Sequence, residues 1–508
     1  VDKPSDNPQV AEYGRQARAK AAEEQAALGT LDDGKLLKYA AAGESGDAAL
    51  FVSLFKDKLV FDHAQGVWYE FKDHYWTPCE IEEQSERVGR LIEPYAKAAK
   101  KEFFRKLTAA KADREKEAAR AEANEKVFIK KISKLQTRSH RENVLRLAAA
   151  GEGSLGISGK QWDLLPEKLP CSNGILDLTT LDFRPGRPGD FLTKFCPIAW
   201  GGIDAPAPRW KSFIDEVLGN AEKAMFFQIL LGSFITGNVT EAVFPVLWGP
   251  GRNGKSILLE TLAHVLGPLS GPVQSEMLMQ QKQPRSAAAP SPDIIALRGL
   301  RLAWASESDE GRRLNSGKIK WFTGNDTLVA RGPYDRRMVT FKPSHSLMLI
   351  TNFRPTGNAA DAALWARVVS IRFPFSFVDT PTKEHERPRD PQLGDELKRE
   401  GPGVLAWLVF GFQAWLEKGL CPPPSVLSET DEYRRSDDSI GHFVKEKCLE
   451  SPEYQTRAQD LFEGYTSFCE ETGFKVRGKK GFFQRLQEDF IKDKDRNGIL
   501  YKGLRLKD

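Results

Sequence analysis

The eight residues Gly249-Pro250-Gly251-Arg252-Asn253-Gly254-Lys255-Ser256 constrain this chain more than any other stretch. They satisfy G-x-x-x-x-G-K-[ST], a loop whose glycines let the backbone curl until its N–H groups converge on phosphate oxygens. Such a loop needs a strand before it and a helix after it. Residues 242–248 read as the strand, with Pro245 a blemish, and residues 256–262 open a helix that Gly267-Pro268 stops. The expectation is an α/β layer with the loop at one edge of its sheet. All eight residues would then surround the phosphates of a nucleotide. Lys255 would reach the outer phosphates, and the Ser256 hydroxyl would hold Mg2+.

The same residues carry a second pattern. Gly249-x-Gly251-x-x-Gly254 fits the dinucleotide fingerprint, which also wants a second strand ending in an acid roughly 20 residues on. Glu276 stands near that distance, but residues 267–272 make a poor strand, and Lys255-Ser256 has no purpose in that reading.

Hydrolysis needs more than a loop: an acid on a neighbouring strand, a group that orients water, and an arginine for transition-state charge. Residues 300–305 form a buried-strand candidate ending at Ser306-Glu307, where Glu307 can serve Mg2+ or the attacking water, with Asp309 in reserve. A charged loop is the plainer alternative there. Residues 346–351 form another apolar strand ending at Asn352, placed to sense the outer phosphate, although Asn often only terminates a strand. Arg367 sits on an otherwise apolar helix-to-strand passage, where it must find a counter-charge or project from the subunit. Between the two strands, residues 327–331 and 336–342 read as a hairpin carrying Arg331, Tyr334, Arg336, Arg337 and Lys342. Basic side chains beside a tyrosine suit single-stranded nucleic acid, with charge tracking the backbone and the ring stacking on a base.

The order of these parts resembles a superfamily 3 helicase: phosphate loop, Glu307 strand, the block Lys318-x-x-x-x-Thr323-Gly324-x-Asp326 with its basic hairpin, Asn352 strand, then Arg367. More narrowly, it resembles the primase-helicases of phages, plasmids and poxviruses. The resemblance is densest over about 240–375, and Arg252 departs from the pattern at a glycine position. It implies an α/β, AAA+-like P-loop ATPase core over 241–390, binding ATP and Mg2+. A flexible lead-in (1–35), an N-terminal α+β accessory domain (36–205) and a helical connector (206–240) would precede it. A helical extension (391–430) and a winged-helix-like domain (431–508) would follow. The resemblance further implies a homo-oligomeric, hexameric ring on single-stranded or forked DNA, with a primase as a further partner. Glu307, Asp309 and Asn352 would act in one subunit and Arg367 on its neighbour's ATP. The competing reading is an ATP-gated origin-binding or scaffold protein without unwinding activity.

Composition adds boundaries. Lys and Arg number 74 against 70 Asp and Glu, so the net charge of +4 does not by itself announce a nucleic-acid binder. The 6 cysteines are scattered with no C-x-x-C pair, which argues against a zinc site or disulfide framework and suits a reducing cytoplasm. No apolar run approaches the ~20 residues of a membrane span, and no leader pattern is recognised. Lys130, Lys134, Arg138 and Arg141 share one helix face, either a basic groove for DNA or a solvated surface, while Phe128, Ile132 and Leu135 line another. Near the end, residues 493–498 begin like a calcium loop, but Leu504 stands where a bidentate glutamate is required. Three helices and a hairpin turning at Asn497-Gly498 are the better reading, with Lys479, Lys480 and Arg485 offered to phosphates.

Overall fold

The computed structural model describes residues 32–281, 289–307, 309–333, 338–359, 361–472, 474, 476–496 and 498–507. The chain divides into two compact units, one within Val1–Leu165 and Pro185–Lys194, the other within Pro166–Arg184 and Phe195–Asp508.

In the first unit residues 59–79, where aromatic and polar residues alternate, form a sheet. Val67–Lys72 pairs antiparallel with Tyr75–Cys79 around Asp73, whose φ of 54° suits a tight turn. Leu59–Asp62 pairs on the other side, and Trp68, Tyr69 and Trp76 are buried. Four helices follow: Ile81–Gly89, Ile92–Lys111, Glu115–Leu135 and Arg138–Ala148. Phe128 and Leu135 are buried, as their spacing demands, but so is Lys131. Its ammonium lies 2.9 Å from the Asp47 carboxylate, which also accepts from Tyr95 Oη (2.9 Å) and faces His140 Nε2 (2.8 Å). A charge can be held inside a helix bundle only with such partners. Half of the basic stripe is spent locally. Arg138 pairs with Glu142 and Arg141 donates to the Leu135 carbonyl, both at 2.6 Å, while Lys130 and Lys134 face solvent.

The second unit is built on five parallel strands: β1 (Phe244–Trp248), β2 (Ser270–Val273), β3 (Leu302–Glu307), β4 (Ser346–Thr351) and β5 (Val368–Arg372), in the spatial order 5-1-4-3-2. The apolar runs of the central strands β1, β3 and β4 are what a parallel sheet covered on both faces requires. Phe244, Val246, Leu247, Ala303, Ala305, Met348 and Leu349 are fully buried. Residues 267–272, expected to make a poor strand, do contribute one: β2 covers Ser270–Val273. Its place, however, is the far edge of the sheet, with β4 and β3 between it and β1. In a dinucleotide fold the second strand pairs directly with the first, so the topology sides with the phosphate loop.

Helices Pro208–Leu218 and Ala221–Ser233 lead into β1 and bury Trp210, Phe213, Phe227 and Leu230. Their core also takes in Leu169, Cys171, Leu176 and Cys196, so residues 166–184 and 195–205, within the expected accessory stretch 36–205, share the interior of this unit. Leu328–Ala330 and Val339–Phe341 pair antiparallel as the stem of the expected basic hairpin. Tyr334, Arg336 and Arg337 lie outside the described residues. The chain closes with helices Ser439–Lys447, Ala458–Thr472 and Lys479–Asp489 around an antiparallel sheet of Cys448–Arg457, Gly498–Leu506 and Ile491–Asp495, in that order. Phe443, Tyr465, Phe482 and Tyr501 form its centre. Arg485 does not offer itself to a phosphate as expected: its guanidinium is tied to Asp438 at 2.9 Å and Asp489 at 2.5 Å.

Among the described residues no helix is long and apolar enough to cross a membrane, and no cluster of three metal-ligating side chains occurs.

Candidate nucleotide site

Parallel strands deliver their C-terminal ends to one edge of a sheet, and ligands of open α/β sheets bind outside that edge. Here β1 runs into the phosphate loop, β3 ends at Glu307, and β4 ends one residue before Asn352. The 5-1-4-3-2 order puts β4, not β3, beside β1. Asn352 is therefore a polar terminus beside the loop, as Arg372 is on the other side of β1, and Glu307 stands one strand further out. The Glu307 side chain lies outside the described part of the structure; its backbone pairs with Thr351.

Two glycines shape the loop. Gly249 (φ 151°) passes so close to the end of β5 that a Cβ would stand 2.2 Å from the Phe373 carbonyl oxygen. Gly254 (φ 88°) caps helix Lys255–Leu266, and a Cβ there would meet Val217 at 2.7 Å. Arg252, the departure from the glycine pattern, adopts the same left-handed region (φ 61°) without being a glycine. Its carbonyl is held by the Phe377 N–H at 2.7 Å, and the Gly251 carbonyl by Ser376 Oγ at 3.2 Å. A short strand, Ser376–Val378, thus grips the loop from outside.

Lys255 is the electrostatic centre. It is buried, at 5% exposure, and its ammonium donates to the Gly249 carbonyl (2.9 Å) and Asn352 Oδ1 (3.3 Å), both neutral. Burial pulls its pKa down to about 8. Asn253 is buried as well: its Oδ1 faces the Lys255 N–H at 3.4 Å, while its Nδ2 has no hydrogen-bond partner. A desolvated cation with neutral partners and an orphaned donor in one loop fit an incoming polyanion.

The loop floors a cavity of about 690 Å³. Gly251 to Ser256, Ser306 and Asn352 line it, but Asp309, Arg331, Lys342 and Arg367 do not. Motif reading missed the opposite wall. Phe377 and Asp379, residues 388–391, and Arg209 and Phe213 of helix Pro208–Leu218 complete the enclosure. Arg209 is fixed there by Glu216 (3.1 Å) and Asp390 (3.4 Å). Residues 380–395 contribute the strand Glu386–Pro388 against Ser376–Val378 and the start of helix Leu393–Arg399. No local pattern could have placed a two-strand ledge with so few residues.

Arg367 lies elsewhere. Its carbonyl accepts from the Phe244 N–H at 2.6 Å, level with the start of β1, whereas the phosphate loop follows the end. Five residues of strand separate those levels by about 16 Å. The guanidinium donates to the Ala363 carbonyl at 2.7 Å, and Nε is buried without a hydrogen-bond partner. Arg331 and Lys342 flank the hairpin stem, where the Arg331 N–H donates to Ser291 Oγ at 3.1 Å.

Known proteins resemble this chain over much of its length. Residues 48–219 match the family model described as D5 N terminal like. A protein of Acanthamoeba polyphaga mimivirus, named a "Putative helicase", is 28% identical over 402 residues, covering 75% of this chain and 40% of its own. A "Putative helicase" of Frog virus 3 is 28% identical over 311 residues, 58% of this chain and 31% of its own. A "Putative primase" of African swine fever virus is 21% identical over 360 residues, 67% of this chain and 36% of its own. The chain thus spans less than half the length of these relatives. The apo structure of the NrS-1 C terminal region (305-718) matches 89% of this chain and 97% of its own with a TM-score of 0.50 at 10% identity, a likeness of fold. These likenesses are to viral proteins named as helicases or primases, and to one solved structure of similar fold.

Proposed function

We propose that the chain is the motor of an ATP-dependent DNA helicase of a phage- or plasmid-type replication system, working as a hexameric ring on single-stranded DNA. In this reading the second unit is a superfamily 3, AAA+-like core, and the C-terminal helices and sheet form a winged helix. The observation that carries the reading is the pair of incomplete halves. Lys255 is a buried cation facing a cavity with neutral partners, and Arg367 stands at the opposite edge of the same sheet, about 16 Å away. A ring closes that gap by setting the Arg367 edge of one subunit against the cavity of the next. Gly249 to Lys255 would then hold the phosphates, Ser256 and Glu307 would hold Mg2+, and Asn352, already bonded to Lys255, would orient the attacked end, with Asp309, outside the cavity lining, in reserve. Mg2+, when bound, neutralises charge on the phosphate oxygens. The basic hairpin would contact the DNA strand through Arg331, Tyr334, Arg336, Arg337 and Lys342. Viral relatives named as helicases and a primase support the same direction.

The test is ATP hydrolysis with and without single-stranded DNA, followed by strand displacement on a forked duplex. DNA-stimulated turnover with displacement is the expected result. Nucleotide-dependent assembly without turnover would point instead to an origin-binding or scaffold protein.

A further inference from the structure

The segment after β4 leaves the nucleotide site and meets an aromatic stack that leads to Arg367. Arg354, two residues beyond Asn352, places its guanidinium 4.3 Å from the ring centre of Trp248 and 5.2 Å from that of Tyr433. Trp248 is the last residue of β1, directly before Gly249. Tyr433 is buried on helix Pro424–Ser436, and its ring meets Trp365 edge-on at 5.0 Å and 90°. Trp365 ends the short helix Ala362–Trp365, and Arg367 rests on that helix through the Ala363 carbonyl. The same segment is fastened along its length. Tyr433 Oη donates to the Pro355 carbonyl, Trp365 Nε1 to the Asn358 carbonyl (2.8 Å) and Arg434 Nε to the Ala359 carbonyl (3.0 Å).

An ion pair does not explain Arg354. Its nearest carboxylate, Glu432, is 3.8 Å away and 72% exposed, a geometry worth little in water. Two rings contact it, and the buried Asp437 carboxyl feels its charge as well; a planar guanidinium can lie flat on a ring, which a point-like ammonium cannot. Close-packed side chains transmit displacement rather than absorb it. A shift of the phosphate loop moves Trp248, and a shift of Asn352 moves Arg354 directly. Either displacement reaches Tyr433 and Trp365.

We propose that Arg354 is a positioning residue that ties the state of a subunit's own nucleotide site to Arg367, the arginine it presents to the next subunit. The inference rests on the ring reading above. It adds a route by which loading or emptying one site sets the activity of its neighbour.

The experiment is a double-mutant cycle on the full chain, with steady-state ATPase and binding of a fluorescent ATP analogue as readouts. Arg354→Met should lower kcat roughly tenfold while KM and analogue binding stay within about twofold, because Arg354 does not line the cavity. In an Arg367→Ala background the same change should have no further effect. Arg354→Lys should resemble Arg354→Met, since it keeps charge without stacking. Tyr433→Leu should repeat the loss, and Tyr433→Phe, which keeps both ring contacts, should turn over nearly normally. This second pair decides the matter should Arg354→Met fail to fold. Losses that multiply with Arg367→Ala, or an unchanged kcat in Arg354→Met and Tyr433→Leu, overturn the route while leaving the ring reading intact. Full turnover by Arg367→Ala alone overturns both.

Discussion

Lys255 shows how much one side chain can state about a ligand. Burial alone lowers its pKa to about 8, against an ordinary lysine value near ~10.4. A bound polyanion restores the charged form, so the complex holds more protons than the free protein above pH ~8. Nucleotide binding should therefore weaken as pH rises from about 8 toward the ordinary lysine value. Calorimetric titration at pH ~8.5, in two buffers of different ionisation heat, should reveal proton uptake; identical heats would count against it. Arg252 poses the opposite case, a residue its position does not favour. A non-glycine residue in the left-handed region costs about 1–2 kcal/mol, and glycine returns about 0.4–1 kcal/mol of that as unfolded-chain entropy. Strain relief wins, so Arg252→Gly should raise the stability of the nucleotide-free protein by about 0.5–1 kcal/mol, read from denaturant midpoints.

At the scale of elements, the segment 352–359 carries most of the account. Its far end is held by Asp437, which accepts from the Gly357 N–H, and by Arg477, which donates to Asn358 Oδ1 at 2.9 Å. Burial pushes the Asp437 carboxyl up to about 6, against the pull of that N–H and of Arg477. A raised carboxyl stabilises fully only below its unfolded value near ~3.9, and that contribution is lost as pH rises through about 6. Asp437→Asn keeps an acceptor for Gly357 and removes the buried charge. It should stabilise the protein by on the order of 2 kcal/mol at pH 8 and by much less at pH 4, as thermal melts at the two values would show. None of this was legible in the sequence, because the groups that meet are far apart in the chain and match no pattern. By contrast, the strand–loop–helix at 244–266 and the strands ending at Glu307 and Thr351 were legible, since backbone and periodicity demand them locally. β2 was misjudged because Gly271 and Pro272 discourage a central strand, whereas an edge strand tolerates them. Arg485 read as a phosphate contact, and only the fold shows the carboxylates waiting for it.

For the whole molecule, a parallel sheet has two edges, and this chain has placed complementary chemistry on both. The phosphate loop and Asn352 occupy one; Arg367 occupies the other, out of reach of its own cavity. The central claim, that ATP is hydrolysed between subunits, is tested most directly by mixing two dead proteins. Lys255→Ala lacks the loop cation and Arg367→Ala lacks the proposed finger, so each alone should be nearly inactive; an arginine finger by itself contributes about 10³–10⁵-fold to turnover in characterised NTPases. Mixed in equal amounts and allowed to reassemble, about a quarter of the interfaces should pair an intact loop with an intact arginine, and that share of ATPase activity should return. A mixture as inactive as its components would contradict the account.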